Sequence, residues 1–172
     1  MSIAIKTTAL CAVFLCFLYI SFRVENTYNS KHKAFKALNA IVTDMLKRIQ
    51  NYPVKLSEMT ANYSDEKYCP FDSLFLEITN KLTSNDMRST EDIFKDCASN
   101  SKGIFEELKP LLYTTAAALG TEGRANITAL LELTLTDIAK AEGEAYADIK
   151  DKGTLYSKLI RLLGLLIIIL FI

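Results

Sequence analysis

The sequence predicts an all-α protein: an antiparallel helical bundle between an N-terminal transmembrane helix and a long C-terminal helix with an apolar tail. Three observations predict it. Apolar residues recur three and four residues apart along much of the chain. No segment alternates with the period of two that a half-buried strand needs. The ends are far more apolar than the middle: residues 1–22 hold 17 apolar residues and residues 162–172 hold 10, whereas the 139 residues between resemble an ordinary soluble domain. The expected division is an anchor at 1–22, a cytosolic helical domain at 23–158 and a C-terminal membrane segment at 159–172.

The first element is an uncharged run over residues 7–22, extended by Ile3, Ala4 and Ile5 beyond Lys6. That approaches the roughly 20 residues that cross a bilayer. A cleaved signal peptide has a similar outline, but the exit Tyr19-Ile20-Ser21-Phe22-Arg23 lacks a small-x-small site. Cys11 and Cys16 follow leucines, so neither reads as a lipoprotein cysteine. A retained anchor is the preferred reading; with cleavage, the chain would be a secreted helical scaffold.

Phe35, Leu38, Val42, Met45 and Ile49 then mark one face of a helix over residues 33–50, which Pro53 ends. A short helix around Val54, Leu56 and Met59 and a polar loop at 62–67 follow. Pro70 suits the first turn of the next helix, whose buried set is Phe71, Leu74, Phe75, Ile78 and Leu82. Ser89 or Thr90 caps a helix carrying Glu91 and Asp92 in its first turn and burying Ile93, Phe94, Cys97 and Ala98. Pro110 is expected to open another helix, closed at Leu119 with Gly120 as a left-handed terminator. The last helix is expected from about residue 121 to the end, on the stripe Ile127, Leu131, Thr134, Ile138, Ala141, Ala145 and Ile149. Gly143 and Gly153 are its weak points.

The tail at 162–172 is too short to span alone, but it is apolar all round, unlike a core helix. Extended back to Leu155 it encloses Lys158 and Arg161, whose long side chains can snorkel to headgroups. Only Lys6 precedes the first apolar segment. Arg23, Lys31, Lys33 and Lys36 follow it, and Lys150, Lys152, Lys158 and Arg161 precede the second. The positive-inside rule puts the middle domain in the cytoplasm. There Cys69 and Cys97 stay reduced, and the sequons at Asn62 and Asn126 are chance matches.

Chemistry is sparse. Twenty basic and 20 acidic residues give zero net charge, which argues against nucleic-acid binding. The neutrality is a cancellation: residues 57–151 carry a balance of −9, and the positive excess lies beside the apolar ends. Gly120-Thr121-Glu122-Gly123 lacks the glycines and the preceding strand of a phosphate loop. Cys69 and Cys97 have no partners at zinc spacing, and His32, the only histidine, reads as a membrane-proximal surface residue. No catalytic residue, metal, cofactor or small-molecule substrate is implied. Glu142, Glu144 and Asp148 read first as a solvated charged face. With Glu122 and Arg124, at the turn between two helices, they are also the candidate partner contacts. Lys6, Arg23, Lys31, Lys33, Lys158 and Arg161 are the candidate membrane-flanking residues.

The N-terminal anchor, the helical domain, Leu119-Gly120 followed by Gly123-Arg124, and the tail Gly164-Leu165-Leu166-Ile167-Ile168-Ile169-Leu170-Phe171 together resemble the stage III sporulation protein AB family over nearly the whole chain. That family usually has Asp-Arg where this chain has Gly123-Arg124. The resemblance implies a place in the channel complex between mother cell and forespore, in the mother-cell membrane around the forespore. It also implies a domain similar to the cytosolic domains of type II secretion F-type platform proteins. The implied role is a non-enzymatic platform or adaptor that couples a cytosolic hexameric ATPase to the membrane apparatus, beside the other stage III channel proteins.

Overall fold

The structure, a computed structural model, describes residues 3–52, 55–84, 87–101 and 103–171, with side chains from Thr8 to Leu170. The expected role of Pro53 and the apolar Val54 lie outside the described residues, as does the side chain of Lys6. The protein is helical, with no strand among the described residues. Helices α1 (Ile3–Asn51), α2 (Leu56–Ala61), α3 (Asp72–Thr83), α4 (Thr90–Asn100), α5 (Phe105–Gly120), α6 (Arg124–Asp148) and α7 (Thr154–Phe171) follow one another. A 3-10 turn, Glu66–Tyr68, lies in the polar stretch before α3, and a π turn, Ile149–Gly153, separates α6 from α7.

The chain forms two compact units, Met1–His32 with Glu144–Ile172, and Lys33–Gly143. In the second unit Phe35, Leu38, Val42 and Met45 of the α1 stripe are buried as the spacing predicts, together with Ile41, while Ile49, the stripe's last residue, is only half-buried. Helices α2, α3, α4 and α5 pack on one another in chain order. An aromatic cluster fills their centre: Tyr63 lies 5.4 Å from Phe75, Phe75 lies 6.3 Å from Phe94, and Phe71 lies 5.3 Å from Phe105. Within this unit α1 and α6 run antiparallel, since Gln50 donates to Glu132 and Asn39 donates to Glu142. Lys81 of α3 bridges Glu77 and Asp96 of α4 at 2.7 and 3.0 Å.

Several local expectations needed correction. Ser89 caps α4 as read, accepting the amide of Asp92. Pro70 does not sit in the first turn of α3, because Phe71 occupies the cap and α3 starts at Asp72. Pro110 does not open α5. The helix begins five residues earlier, at Phe105, and carries Pro110 inside it. Packing explains this: Leu108 is fully buried and Phe105 stacks edge-on against Phe71, so tertiary contacts outweigh the hydrogen bond that proline forfeits. Gly120 is not a left-handed terminator. It ends α5 in helical conformation, and a Cβ there would lie 3.0 Å from Glu91 Cβ, so the glycine lets α4 and α5 approach. In this turn the left-handed glycine is Gly123, at φ 89°, and α6 starts at Arg124 rather than 121.

The first unit is a pair of antiparallel apolar helices, the N-terminal part of α1 and α7. Phe17 lies against Gly164 and Tyr28 against Gly153, so contacts ascend one helix as they descend the other. A Cβ at Gly164 would sit 2.9 Å from Phe17 Cβ, which only glycine avoids. The side of α1 least exposed to solvent here carries Leu10, Phe14, Phe17, Ser21, Val24 and Tyr28, again spaced four and three.

Candidate functional site

The most distinctive geometry in the paired unit is a polar clasp in an apolar setting. Ser21 and Ser157 are 0% and 2% exposed, and their hydroxyls lie 2.8 Å apart. Arg161 donates Nε to Ser21 Oγ at 2.8 Å and a terminal nitrogen to Ser157 Oγ at 2.9 Å. The same nitrogen reaches Glu25 Oε2 at 3.2 Å. Arg161 therefore turns toward the opposing helix. Arg23 takes another course, donating to the Tyr19 hydroxyl at 3.1 Å with its guanidinium 5.7 Å from that ring's centre. Lys158 and Lys33 are exposed and Lys31 is half-buried. Around the clasp, Tyr19, Ile20, Phe22, Leu159, Leu162 and Leu163 face outward.

The two helical stretches that contain these residues, Thr8–Asn51 and Arg124–Leu170, are long and apolar enough to cross a membrane. Only 6% and 17% of their most apolar windows are buried inside the protein, unlike the core helices of a soluble domain.

The candidate partner contacts are divided between the two units, Glu122, Arg124 and Glu142 in one and Glu144 and Asp148 in the other. Glu122 is exposed in the turn before α6. Arg124 is the first residue of α6 and borders an apolar groove of about 320 Å³ with Ile49, Tyr52, Leu56, Met59, Leu119 and Ile127. Glu142 is half-buried, accepts from Asn39 Nδ2 at 2.8 Å, and lines a polar groove with Lys36, Thr43, Asp44 and Lys47. Glu144 is exposed, while Asp148 pairs with Lys152 at 2.7 Å. That ion pair lowers the Asp148 carboxyl and raises Lys152 from their ordinary values.

Other polar groups serve the fold. Tyr63 is fully buried and donates its hydroxyl to Asp44 at 2.7 Å, and Arg48 reaches the same oxygen at 2.7 Å. Burial opposes the Asp44 charge, but the hydrogen bonds from Arg48 and Tyr63 outweigh it and hold the carboxyl below its ordinary range. Burial, then the bond to Asp44, pushes the Tyr63 hydroxyl far up. Cys97 is buried, and desolvation with the nearby Glu77 charge pushes its thiol up to about 11. His32 is not a surface side chain: it is half-buried, with its ring centre 5.4 Å from that of Tyr146 and its Nδ1 buried without a hydrogen-bond partner. Among the described residues no three His, Cys, Asp or Glu side chains are placed to hold a metal. Ser21, Ser157 and Glu25 were not legible in the sequence: Ser21 lies on a face that an almost wholly apolar segment masks, and the π turn moves Ser157 off the regular stripe.

Fold and site define a class: a helical domain joined to an antiparallel pair of largely exposed apolar helices. The family model for stage III sporulation protein AB matches residues 6–172, and the chain belongs to that family. Its role therefore lies in stage III of sporulation. No curated protein and no solved structure matches the chain.

Proposed function

We propose that this chain is a non-enzymatic platform of the sporulation channel, held in the mother-cell membrane around the forespore by the α1 and α7 pair. Residues 23–158, which include the Lys33–Gly143 unit, are its cytoplasmic domain. The observation that carries the reading is the exposure of apolar surface on the paired helices, including Leu162 at 61%, Leu166 at 59% and Ile169 at 72%. Such a surface needs lipid or protein to cover it. Family membership supports the sporulation context. The basic residues cluster beside the apolar segments, where anionic headgroups attract them.

The cytoplasmic unit is the adaptor. Its partner is a hexameric secretion-type ATPase, met together with other stage III channel proteins. Glu122, Arg124, Glu142, Glu144 and Asp148 are the residues proposed to contact partners. The test is binding of the purified ATPase to the full chain in lipid nanodiscs. Micromolar or tighter binding that falls about tenfold, or 1.4 kcal/mol, in a Glu122→Lys, Glu144→Lys double variant is expected. No binding at micromolar concentration would end the coupling idea.

A further inference from the structure

The turn between α5 and α6 places a cation beside an apolar groove that the Lys33–Gly143 unit leaves open. Helices α1 and α6 run antiparallel there, so the last residues of α1 and the first of α6 share one end of the unit. Residues 33 and 143, where the chain enters and leaves the unit, belong to the other end. At 1.5 Å per residue, Ile49 lies about 24 Å along α1 from Lys33. The groove of about 320 Å³ opens at that far end. Met59 and Leu119 are buried in it, while Ile49, Leu56 and Ile127 are half-buried. Tyr52 stands beside them 66% exposed. The volume is at the low end for a binding site, with room for a couple of side chains from a partner.

Arg124 borders this groove as the first residue of α6, directly after the left-handed Gly123. The other two arginines of the unit are paired, Arg48 with Asp44 at 2.7 Å and Arg88 with Asp96 at 3.0 Å. Arg124 is exposed, and its guanidinium makes no hydrogen bond or ion pair among the described residues. Glu58 and Glu122, close to the groove in sequence, are exposed and do not line it. Protein interfaces concentrate aromatic side chains, methionine and arginine at their centres, and are depleted there in carboxylates and lysine. Tyr52, Met59 and Arg124 supply that set, with no carboxylate among the lining residues. An exposed ion pair alone adds little. The apolar contacts would therefore supply the affinity, and the arginine the choice of partner.

We propose that this groove docks an amphipathic helical segment of a partner protein, which seats two apolar side chains one turn apart and sets a carboxylate against Arg124. The proposal rests on the adaptor reading above in taking Arg124 as a partner contact, and its test separates the two. The probes are two short, fluorescein-labelled, alanine-rich helical peptides. Both carry two leucines one turn apart, and they differ one turn further along the same face, with glutamate in one and lysine in the other. Each is titrated by fluorescence anisotropy against the full chain in phosphatidylcholine nanodiscs. The glutamate peptide is expected to bind saturably and about fivefold more tightly than the lysine peptide. Arg124→Glu should reverse that order. A carboxylate in the first turn of a helix suits the helix dipole, so this variant should keep its fold. Tyr52→Ser changes a largely exposed side chain and should weaken both peptides severalfold.

No saturable binding of the glutamate peptide, or equal affinity for the two peptides, would overturn the proposal. So would a preference that Arg124→Glu leaves unchanged, or binding that Tyr52→Ser leaves unchanged. Self-association of the detergent-solubilised chain that both variants abolish, read by sedimentation, would make a second copy the occupant and overturn it likewise. The hexameric ATPase is titrated in parallel against the same nanodiscs. Peptide binding as expected with no ATPase binding at micromolar concentration would uphold the groove and end the coupling idea. ATPase binding with no binding of the glutamate peptide would do the reverse.

Discussion

At the residue scale, the second unit is organised by polar groups that the apolar stripes do not reveal. The Tyr63 hydroxyl is buried against Asp44, so Tyr63→Phe removes a bond to a charged acceptor. The expected cost is about 1 kcal/mol, at the low end for such bonds because water reaches Asp44. The sign with pH follows from the depressed carboxyl. Its contribution is full above the ordinary aspartate value of 3.8 and is lost as pH falls through the lower folded value. The stability gap between the variant and the parent, measured by urea melts, should therefore close in acid; a gap that widened there would contradict the assignment. Cysteine reactivity gives a second check. Cys69 is exposed, whereas Cys97 is buried with its thiol pushed up to about 11. Iodoacetamide at neutral pH should label Cys69 readily and Cys97 only after denaturation; equal rates in the native protein would refute the buried neutral thiol. Gly120 shows how far sequence alone reaches here. Leucine followed by glycine reads as a helix stop, and the glycine does end α5, but its purpose is the approach of Glu91 from α4. A contact between helices leaves no local mark in the sequence.

At the element scale, spacing recovered the buried faces of the helices better than their ends. The stripe at 35, 38, 42 and 45 was legible because consecutive large apolar residues carry it. Its continuation through Leu10, Phe14, Phe17, Ser21, Val24 and Tyr28 was hidden, because an almost wholly apolar segment masks any face. Helix starts failed where packing overrode punctuation, as at Pro110, or where a left-handed residue moved the start, as at Gly123. The π turn at Ile149–Gly153 was invisible for a different reason. It adds one residue to the helical spacing, so the buried side passes from Ala145 to Gly153 and Ser157, a step longer than the regular stripe would take. Deleting the exposed Asp151 removes the extra residue, so this stretch should return to α-helical spacing with α7 still turned to the same face of α1. A Ser21→Cys, Ser157→Cys pair, at positions whose hydroxyls lie 2.8 Å apart, should cross-link under mild oxidation in the parent and keep that cross-link in the deletion. Loss of the cross-link would show that the π turn does more than absorb one extra residue.

At the scale of the whole molecule, the charge distribution and the apolar ends were readable from composition, but the division into compact units was not. Residues 23–32 and 144–158 are polar enough to be assigned with the soluble domain, yet 23–32 and 144–158 fall in the same compact unit as the apolar ends. Helical contacts such as those of Tyr28 with Gly153 draw them there. The Lys33–Gly143 unit contains the aromatic cluster and the buried 35, 38, 42, 45 stripe. Expressed alone, it should be soluble and helical and should melt in one cooperative transition; a chain without cooperative melting would show that its core needs the paired helices. The central claim, an anchored helical domain facing the cytoplasm, is tested most directly through Cys69, which is exposed within that domain. The full chain with Cys11→Ala and Cys16→Ala would be expressed in protoplasts of an endospore-forming host and treated with a membrane-impermeant maleimide. The expected result is a membrane-associated protein whose Cys69 is unlabelled in intact protoplasts and labelled after lysis; labelling in intact protoplasts would place the domain on the outer side and contradict the claim.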